Sequence, residues 1–106
     1  MPEVAEVVVP VKITRTIKVL NSLADETRQK ILLLIGTHGK LCVNEIAAHF
    51  SVSRPAISHH LKVLKDSRLV SAEKLGKEMY YSFNRDYVLG SLQWLIEYIR
   101  STAKAV

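Results

Sequence analysis

The sequence predicts one mainly α domain of the α+β class, in which four helices are followed by two strands and a fifth helix. Apolar residues recur at helical spacing in the helical segments, and after Leu69 the pattern changes to short strand-like runs. With 106 residues, 48% of them hydrophobic and 24% charged, the chain has the composition of a folded domain and not of a disordered tail. We expect residues 1–10 to form an N-terminal arm and residues 11–106 to form the domain.

The first two helices are predicted by apolar spacing and by their boundary residues. A first helix is expected over residues 11–22, where three apolar side chains share one face: Ile13, Ile17 and Leu20. A second helix should begin near Asp25, because a carboxylate suits the positive end of a helix dipole. It should end at Gly36 or at Gly39.

A short helix, a tight turn and a longer helix are expected next. The third helix is predicted over residues 43–50, with Cys42 in the cap position of a capping-box pattern. After a three-residue turn, a fourth helix should span residues 54–66. Ser53 is a good N-cap for it, and Pro55 lies in the first turn, where a missing N–H group is tolerated.

A β-hairpin and a long helix complete the predicted order α-α-α-α-β-β-α. The strands are residues 70–75 and 78–83, joined at Gly76 and Lys77. The last helix, residues 86–104, carries two apolar stripes: Val88, Leu92, Leu95, Ile96 and Ile99 on one, and Tyr87, Trp94 and Tyr98 on the other. A surface helix of a monomer needs one such stripe, so two stripes predict burial on both sides.

The distribution of charge indicates a polyanionic partner. The chain has a net charge of +5, and the segment from Arg54 to Lys77 holds six basic residues and only two acidic ones. A basic run by itself is typical of a solvated helix face. Here, however, the run includes the fourth helix, in which Ile57, Leu61 and Leu64 must face the core and leave a polar, basic face outward.

Such a helix fits the DNA major groove, where its first residues can reach base edges and its later lysines can meet phosphates. The following basic hairpin would lie beside it as a wing. The sequence therefore predicts a winged helix-turn-helix that binds double-stranded DNA. The candidate DNA-binding residues are Ser53, Arg54, Pro55, Ser58, His59, Lys62, Lys65, Lys74 and Lys77.

The stretches LADETRQKILLLI and LCVNEIAAHFSVSRPAISHHLKVLKDSRLVSAEKLGKEMYYSF resemble the ArsR/SmtB family of bacterial and archaeal repressors over about residues 17–84. The resemblance implies a homodimer built from the first and last helices, which binds a dyad-symmetric operator. It also places Arg54, Pro55, Ser58, His59 and Lys62 at recognition-helix positions that family members use. The residues expected at the dimer interface are Ile13, Ile17, Leu20, Val88, Leu92, Trp94, Leu95 and Ile99.

Two positions depart from the family pattern. Where many relatives have glycine, this chain has Ser51 in the turn and Arg68 after the fourth helix. If the backbone there keeps a positive φ, each residue should carry strain of about 1 kcal/mol. The helix-turn-helix prediction is unchanged, and only the local geometry of the turn would then differ from that of the relatives.

The metal sites of the family are predicted to be absent, and no cofactor is expected. One family site uses two cysteines at the third helix, but KLCVNEI keeps only Cys42 and has Asn44 in place of the second thiol. Another uses Asp and His pairs on the last helix, where Asp86 is present without any histidine. Cys42 at a helix N-cap could be a redox-active thiol or a buried, inert one. The sequence does not identify the molecule that would act as effector.

Two other function classes compete with DNA binding. A winged-helix module that binds protein would use the apolar stripes for another partner, while an enzyme would need a nucleophile–base pair that the sequence lacks, with Cys42 the one plausible nucleophile. A single cysteine fits a reducing compartment, and neither a signal peptide nor a membrane-length apolar run is evident. We therefore expect a cytoplasmic, non-enzymatic protein without a membrane partner.

Overall fold

Five helices and three strands make up residues 6–103, the part of the chain that the computed structural model describes. The helices are Val11–Leu23 (α1), Glu26–His38 (α2), Val43–Ala47 (α3), Arg54–Asp66 (α4) and Arg85–Thr102 (α5). The strands are Lys40–Cys42 (β1), Val70–Leu75 (β2) and Glu78–Phe83 (β3). Residues 6–10 precede α1 without regular structure, while residues 1–5 of the expected arm and Lys104 of the expected last helix lie outside the described range. The mainly α winged helix-turn-helix class is confirmed.

The core is aliphatic and is built from side chains of both the helices and the strands. Its fully buried members come from α1, α2, α3, α4 and the start of β2: Val19, Ile31, Ile35, Ile46, Ile57, Leu61, Leu64, Leu69 and Val70. Burying one such side chain contributes about 1.5–3 kcal/mol relative to leaving it in water. The first helix turns Thr16, Val19 and Ser22 inward and leaves Ile17 and Leu20 exposed. Its predicted apolar stripe is therefore an outer face.

The ends of α2 are set by one side chain and one backbone conformation. The Asp25 carboxylate accepts a hydrogen bond from the Arg28 backbone N–H at 3.0 Å, which caps the first turn. The helix passes through Gly36 and ends at Gly39, whose φ of 90° glycine adopts without strain. Of the two predicted end points, Gly39 is therefore correct.

The sheet contains one strand more than predicted. β1 pairs antiparallel with β3, with Lys40 opposite Ser82 and Cys42 opposite Tyr80, and β3 pairs in turn with β2. The observed order is thus α-α-β-α-α-β-β-α. A strand of three residues is too short to show alternation, and its partner lies about forty positions away, so local pattern could not reveal it. The third helix is also shorter than predicted, because it ends at Ala47 and residues 48 and 49 form a turn.

The end of α4 is a Schellman motif with arginine in the position that usually holds glycine. Leu69 N–H donates to Leu64 O at 2.9 Å, and Arg68 N–H donates to Lys65 O at 3.0 Å. Arg68 has a φ of 64°, as anticipated from its departure from the family pattern, whereas Ser51 does not have a positive φ. The strain expected at Ser51 is therefore absent, and that at Arg68 is present.

Replacing Arg68 by glycine should raise the free energy of unfolding by about 0.5–1 kcal/mol, because glycine adopts a positive φ without the steric penalty of a Cβ atom. Urea denaturation followed by circular dichroism measures the change. Arg68→Ala is the matched control, since it removes the same guanidinium group and keeps the Cβ atom. Equal stabilities of the Gly and Ala variants would contradict the prediction.

The cap of α2 should also make stability depend on pH. The pKa of Asp25 is lowered chiefly because its carboxylate accepts the Arg28 backbone N–H, with the charges of Arg28 and His60 adding to the effect. A carboxyl whose pKa is lower in the folded state stabilises the fold above its unfolded-state pKa, and this contribution is lost as the pH falls through the folded-state pKa.

Asp25→Asn keeps a capping side chain but cannot titrate. Between pH 6 and pH 2 the melting temperature of this variant should therefore fall less steeply than that of the wild type, as measured by circular dichroism. A wild-type slope in Asp25→Asn would show that the cap does not titrate with folding.

Candidate nucleic-acid interface

The fourth helix has one fully buried face and one exposed face. Ile57, Leu61 and Leu64 are packed in the core, as their spacing predicted. Because residues three and four apart share one face of an α-helix, this buried row fixes which side chains point outward. Ser53 begins the helix, its Oγ accepting the Ala56 N–H at 3.3 Å, and Pro55 lies in the first turn.

The outward face of α4 and the hairpin hold all the candidate DNA-binding residues, and every one of them is exposed: Ser53, Arg54, Pro55, Ser58, His59, Lys62, Lys65, Lys74 and Lys77. Within residues 6–103, none of the five cations in this set forms an ion pair. The one acidic residue on β2, Glu73, is engaged by Lys40 at 2.8 Å. The surface is therefore positive, hydrated and free to meet an anionic partner.

Arg28 on α2 connects α4 to α1. Its Nε donates to Ser22 O at 2.8 Å, and its Nη1 lies 3.2 Å from His60 Nδ1 on α4. His60 Nδ1 is also 3.9 Å from the Asp25 carboxylate. His59 is exposed while His60 is turned toward the body of the domain, as expected for adjacent residues of a helix. The role of Arg28 could not be predicted, because 32 positions separate it from its partner.

Asn84 fastens the base of the hairpin to the end of α4. Its side-chain amide donates to Arg68 O at 2.9 Å, and its backbone N–H donates to Leu69 O at 3.0 Å. The Ser71 hydroxyl donates to Asn84 Oδ1. These hydrogen bonds hold the base of the hairpin that carries Lys74 and Lys77 against the end of α4. Sequence reasoning did not identify Asn84, because an asparagine after a strand normally marks only a turn.

The residues expected at a dimer interface fall into two groups. Ile17 and Leu20 on α1 and Ile99 on α5 are exposed large apolar side chains, as is Ile96, which was not among the expected interface residues. Val88, by contrast, is buried in the core of its own chain, and Ile13, Leu92, Trp94 and Leu95 are partly buried. Among the second stripe of α5, Trp94 stacks on Tyr98 with ring centroids 5.0 Å apart and lies under the Lys12 ammonium at 5.7 Å. That stripe therefore faces α1 of the same chain.

Cys42 is a buried residue at the start of α3, where it is only 5% exposed. The Glu45 carboxylate accepts its backbone N–H at 3.0 Å, and this hydrogen bond is the main reason that the pKa of Glu45 is lowered. Solvent oxidants therefore have little access to the thiol. The side chains of His38 and His49 approach each other, with ring centroids 6.0 Å apart.

Across the described part of the chain, His, Cys, Asp and Glu side chains nowhere gather in threes as ligands for a metal ion. Among the same residues, no helix combines the length and the apolar character needed to cross a lipid bilayer.

Comparison with known proteins identifies the family. The family described as "Bacterial regulatory protein, arsR family" matches residues 25–72. The transcriptional repressor SdpR of Bacillus subtilis is 38% identical over 81 residues, which cover 76% of this chain and 89% of that protein. An ArsR-like transcriptional regulator from Rhodococcus sp. RHA1 superposes with a TM-score of 0.74 at 25% identity, covering 92% of this chain and 100% of that one.

A second solved structure shares the fold alone. Mb0332 from Mycobacterium bovis, described as a homodimeric winged helix-turn-helix DNA-binding domain, superposes with a TM-score of 0.68 at 24% identity, covering 91% of this chain and 90% of that one. The matched residues of the family extend from the cap of α2 through α4 to the first half of the hairpin. This chain belongs to the arsR family of bacterial regulatory proteins and is therefore a transcriptional regulator and not an enzyme.

Proposed function

We propose that this protein is a transcriptional repressor which binds a dyad-symmetric DNA operator as a homodimer. The observation that carries the proposal is the exposed face of α4, whose cations have no ion-pair partner within residues 6–103. An α-helix fits the major groove of B-DNA, and arginine there can pair with guanine O6 and N7. The relative SdpR, itself a transcriptional repressor, supports the same role.

The interface divides into positions that read bases and positions that hold phosphates. Arg54, Ser58 and His59 lie in the first half of α4, which enters the groove in helix-turn-helix proteins. Lys62 and Lys65 lie nearer its end, and Lys74 and Lys77 lie on the hairpin, so we assign these lysines to the sugar–phosphate backbone. Neither the contacts to bases nor those to phosphates require a metal ion or a cofactor.

Homodimerisation follows from the exposed apolar side chains of α1 and α5. Ile17, Leu20, Leu89, Ile96 and Ile99 are each at least 40% exposed in the isolated chain. Several large exposed apolar side chains on two helices that pack against each other indicate an interaction surface. A twofold dimer would present two copies of α4 to half-sites about 34–36 Å apart on one face of the duplex. We place this activity in the cytoplasm, where the chromosomal operator of a bacterial regulator lies.

Binding to a duplex should weaken steeply as salt rises, because lysine–phosphate contacts release counterions. Fluorescence anisotropy should show that Lys62→Ala weakens binding to operator and unrelated duplexes alike and lowers the salt slope by about one. Arg54→Ala should instead cost about 1–3 kcal/mol on the operator and little on unrelated DNA. Lys30→Ala on α2 is the control for charge alone. Salt-independent binding would sink the proposal.

A charge on the apolar face of α5 should separate the dimer. Ile96→Glu or Ile99→Glu would bury an unpaired carboxylate in the contact, so sedimentation equilibrium should show a monomer where the wild type is a dimer. Leu75→Glu, at a similarly exposed apolar position on β2, should leave the dimer intact. Circular dichroism verifies that each variant is folded. A dimeric Ile96→Glu, Ile99→Glu double variant would place the interface elsewhere.

A further inference from the structure

A cleft of about 320 Å³ lies between α1 and α5, away from the exposed face of α4. Lys12 and Arg15 line it from α1, while Tyr87, Gly90, Ser91 and Trp94 line it from α5. Its volume is at the lower end of the range for small-molecule sites. Nothing in the proposed contact with DNA uses these residues.

The space exists because α5 carries small residues where it passes α1. A Cβ atom built on Gly90 would meet no heavy atom within 4 Å, so the glycine is not required by close packing. Glycine in a helix interior is less stable than alanine. Gly90 thus leaves the wall of the cleft open at a position where a larger side chain would fit and would favour the helix.

The chemistry of the cleft is aromatic and cationic. Trp94 and Tyr87 supply flat apolar walls, and the Lys12 ammonium lies 5.7 Å from the centroid of the Trp94 ring. Within residues 6–103, neither Lys12 nor Arg15 forms an ion pair. Arg15 also lines an adjoining hollow with Lys18 and Arg68. Asp86 is the one carboxylate on the cleft wall, where it can accept a hydrogen bond from a ligand hydroxyl or amine.

We propose that this cleft binds a small planar organic anion, of the class of aromatic carboxylates, and that occupancy regulates DNA binding. A carboxylate would meet Lys12 and Arg15, and its ring would stack against Trp94 or Tyr87. The regulatory part rests on the function proposed above. There α1 and α5 form the dimer contact, so a ligand that changes their spacing also changes the separation of the two α4 helices.

The position of the cleft on α1 is compatible with a dimer. Lys12 and Arg15 are three positions apart and share one side of α1, whereas Ile13, Ile17 and Leu20 project from a different side. The ligand site therefore does not coincide with the exposed apolar face. A bound anion would act on the packing of α1 against α5 and would not displace the subunit contact.

Trp94 is the only tryptophan of the chain, so its fluorescence reports directly on the cleft. Titration with benzoate should give a saturable change in emission, and benzamide, its neutral isostere, should bind at least fivefold more weakly. Arg15→Gln should weaken benzoate at least fivefold, whereas Lys30→Gln, which removes a charge from α2, should not. Absence of saturation by benzoate, equal binding of benzamide, or an unaffected Arg15→Gln variant would each overturn the site.

Gly90→Leu tests the same site without removing a charge. The variant should place a side chain in open space, retain its helical circular dichroism and lose saturable benzoate binding. If it binds benzoate as the wild type does, the ligand lies elsewhere and the proposal is wrong. If the variant is unfolded, Gly90→Ala serves in its place, with an expected weakening of at least threefold.

A measurement of duplex binding in the presence of benzoate tests whether the cleft regulates DNA binding. Benzoate at saturation should change the half-saturating concentration of operator duplex at least threefold for the wild type and leave that of Gly90→Leu unchanged. An unchanged wild-type value would overturn regulation through the cleft. Failure of the protein to bind duplex even without benzoate would instead overturn the proposed function, and the fluorescence titration would still decide whether the site exists.

Discussion

The burial of three aliphatic side chains of α4 is the constraint on which the interface depends. A helix is a rigid rod, so packing Ile57, Leu61 and Leu64 in the core fixes its rotation about its own axis. Once that rotation is fixed, the polar and basic side chains can point only to solvent. The outward orientation of these side chains is thus a consequence of hydrophobic packing, since no contact among the exposed residues is needed to orient them.

The two ends of α4 are secured by different means. At its start the Ser53 hydroxyl caps the first turn, and at its end the Schellman hydrogen bonds hold Arg68 in a left-handed conformation. On its inner side, Arg28 lies against His60 while it holds the carbonyl end of α1. The contacts at the two ends are local in sequence, whereas the contact of Arg28 with His60 joins residues 32 positions apart.

Sequence reasoning predicted most of the helices because their periodicity and caps are local. Ser53 and Pro55 marked the start of α4, Asp25 marked that of α2, and the glycine after β2 marked the hairpin. It did not predict β1, which exists only because β3 is there to pair with it. It also described the apolar spacing of α1 without indicating which side was inner, because Thr16 and Ser22 are small enough to be buried beside Val19.

For the candidate site, spacing along one helix was sufficient to separate exposed residues from core residues, but it could not supply partners across elements. Arg28 and Asn84 hold α4 and the hairpin through contacts that no periodicity encodes. Val88 belongs to a stripe that spacing assigned to an outer contact, yet it is buried in its own chain. Whether such a residue is buried or exposed thus depends on how its element packs against the others.

Asn84 also lies immediately before α5, between the end of β3 and the first turn of the long helix. The hydrogen bonds of Asn84 to Arg68, Leu69 and Ser71 therefore hold the start of α5 and the base of the hairpin together. The orientation of the hairpin that carries Lys74 and Lys77 and the origin of the long helix thus depend on the same side chain.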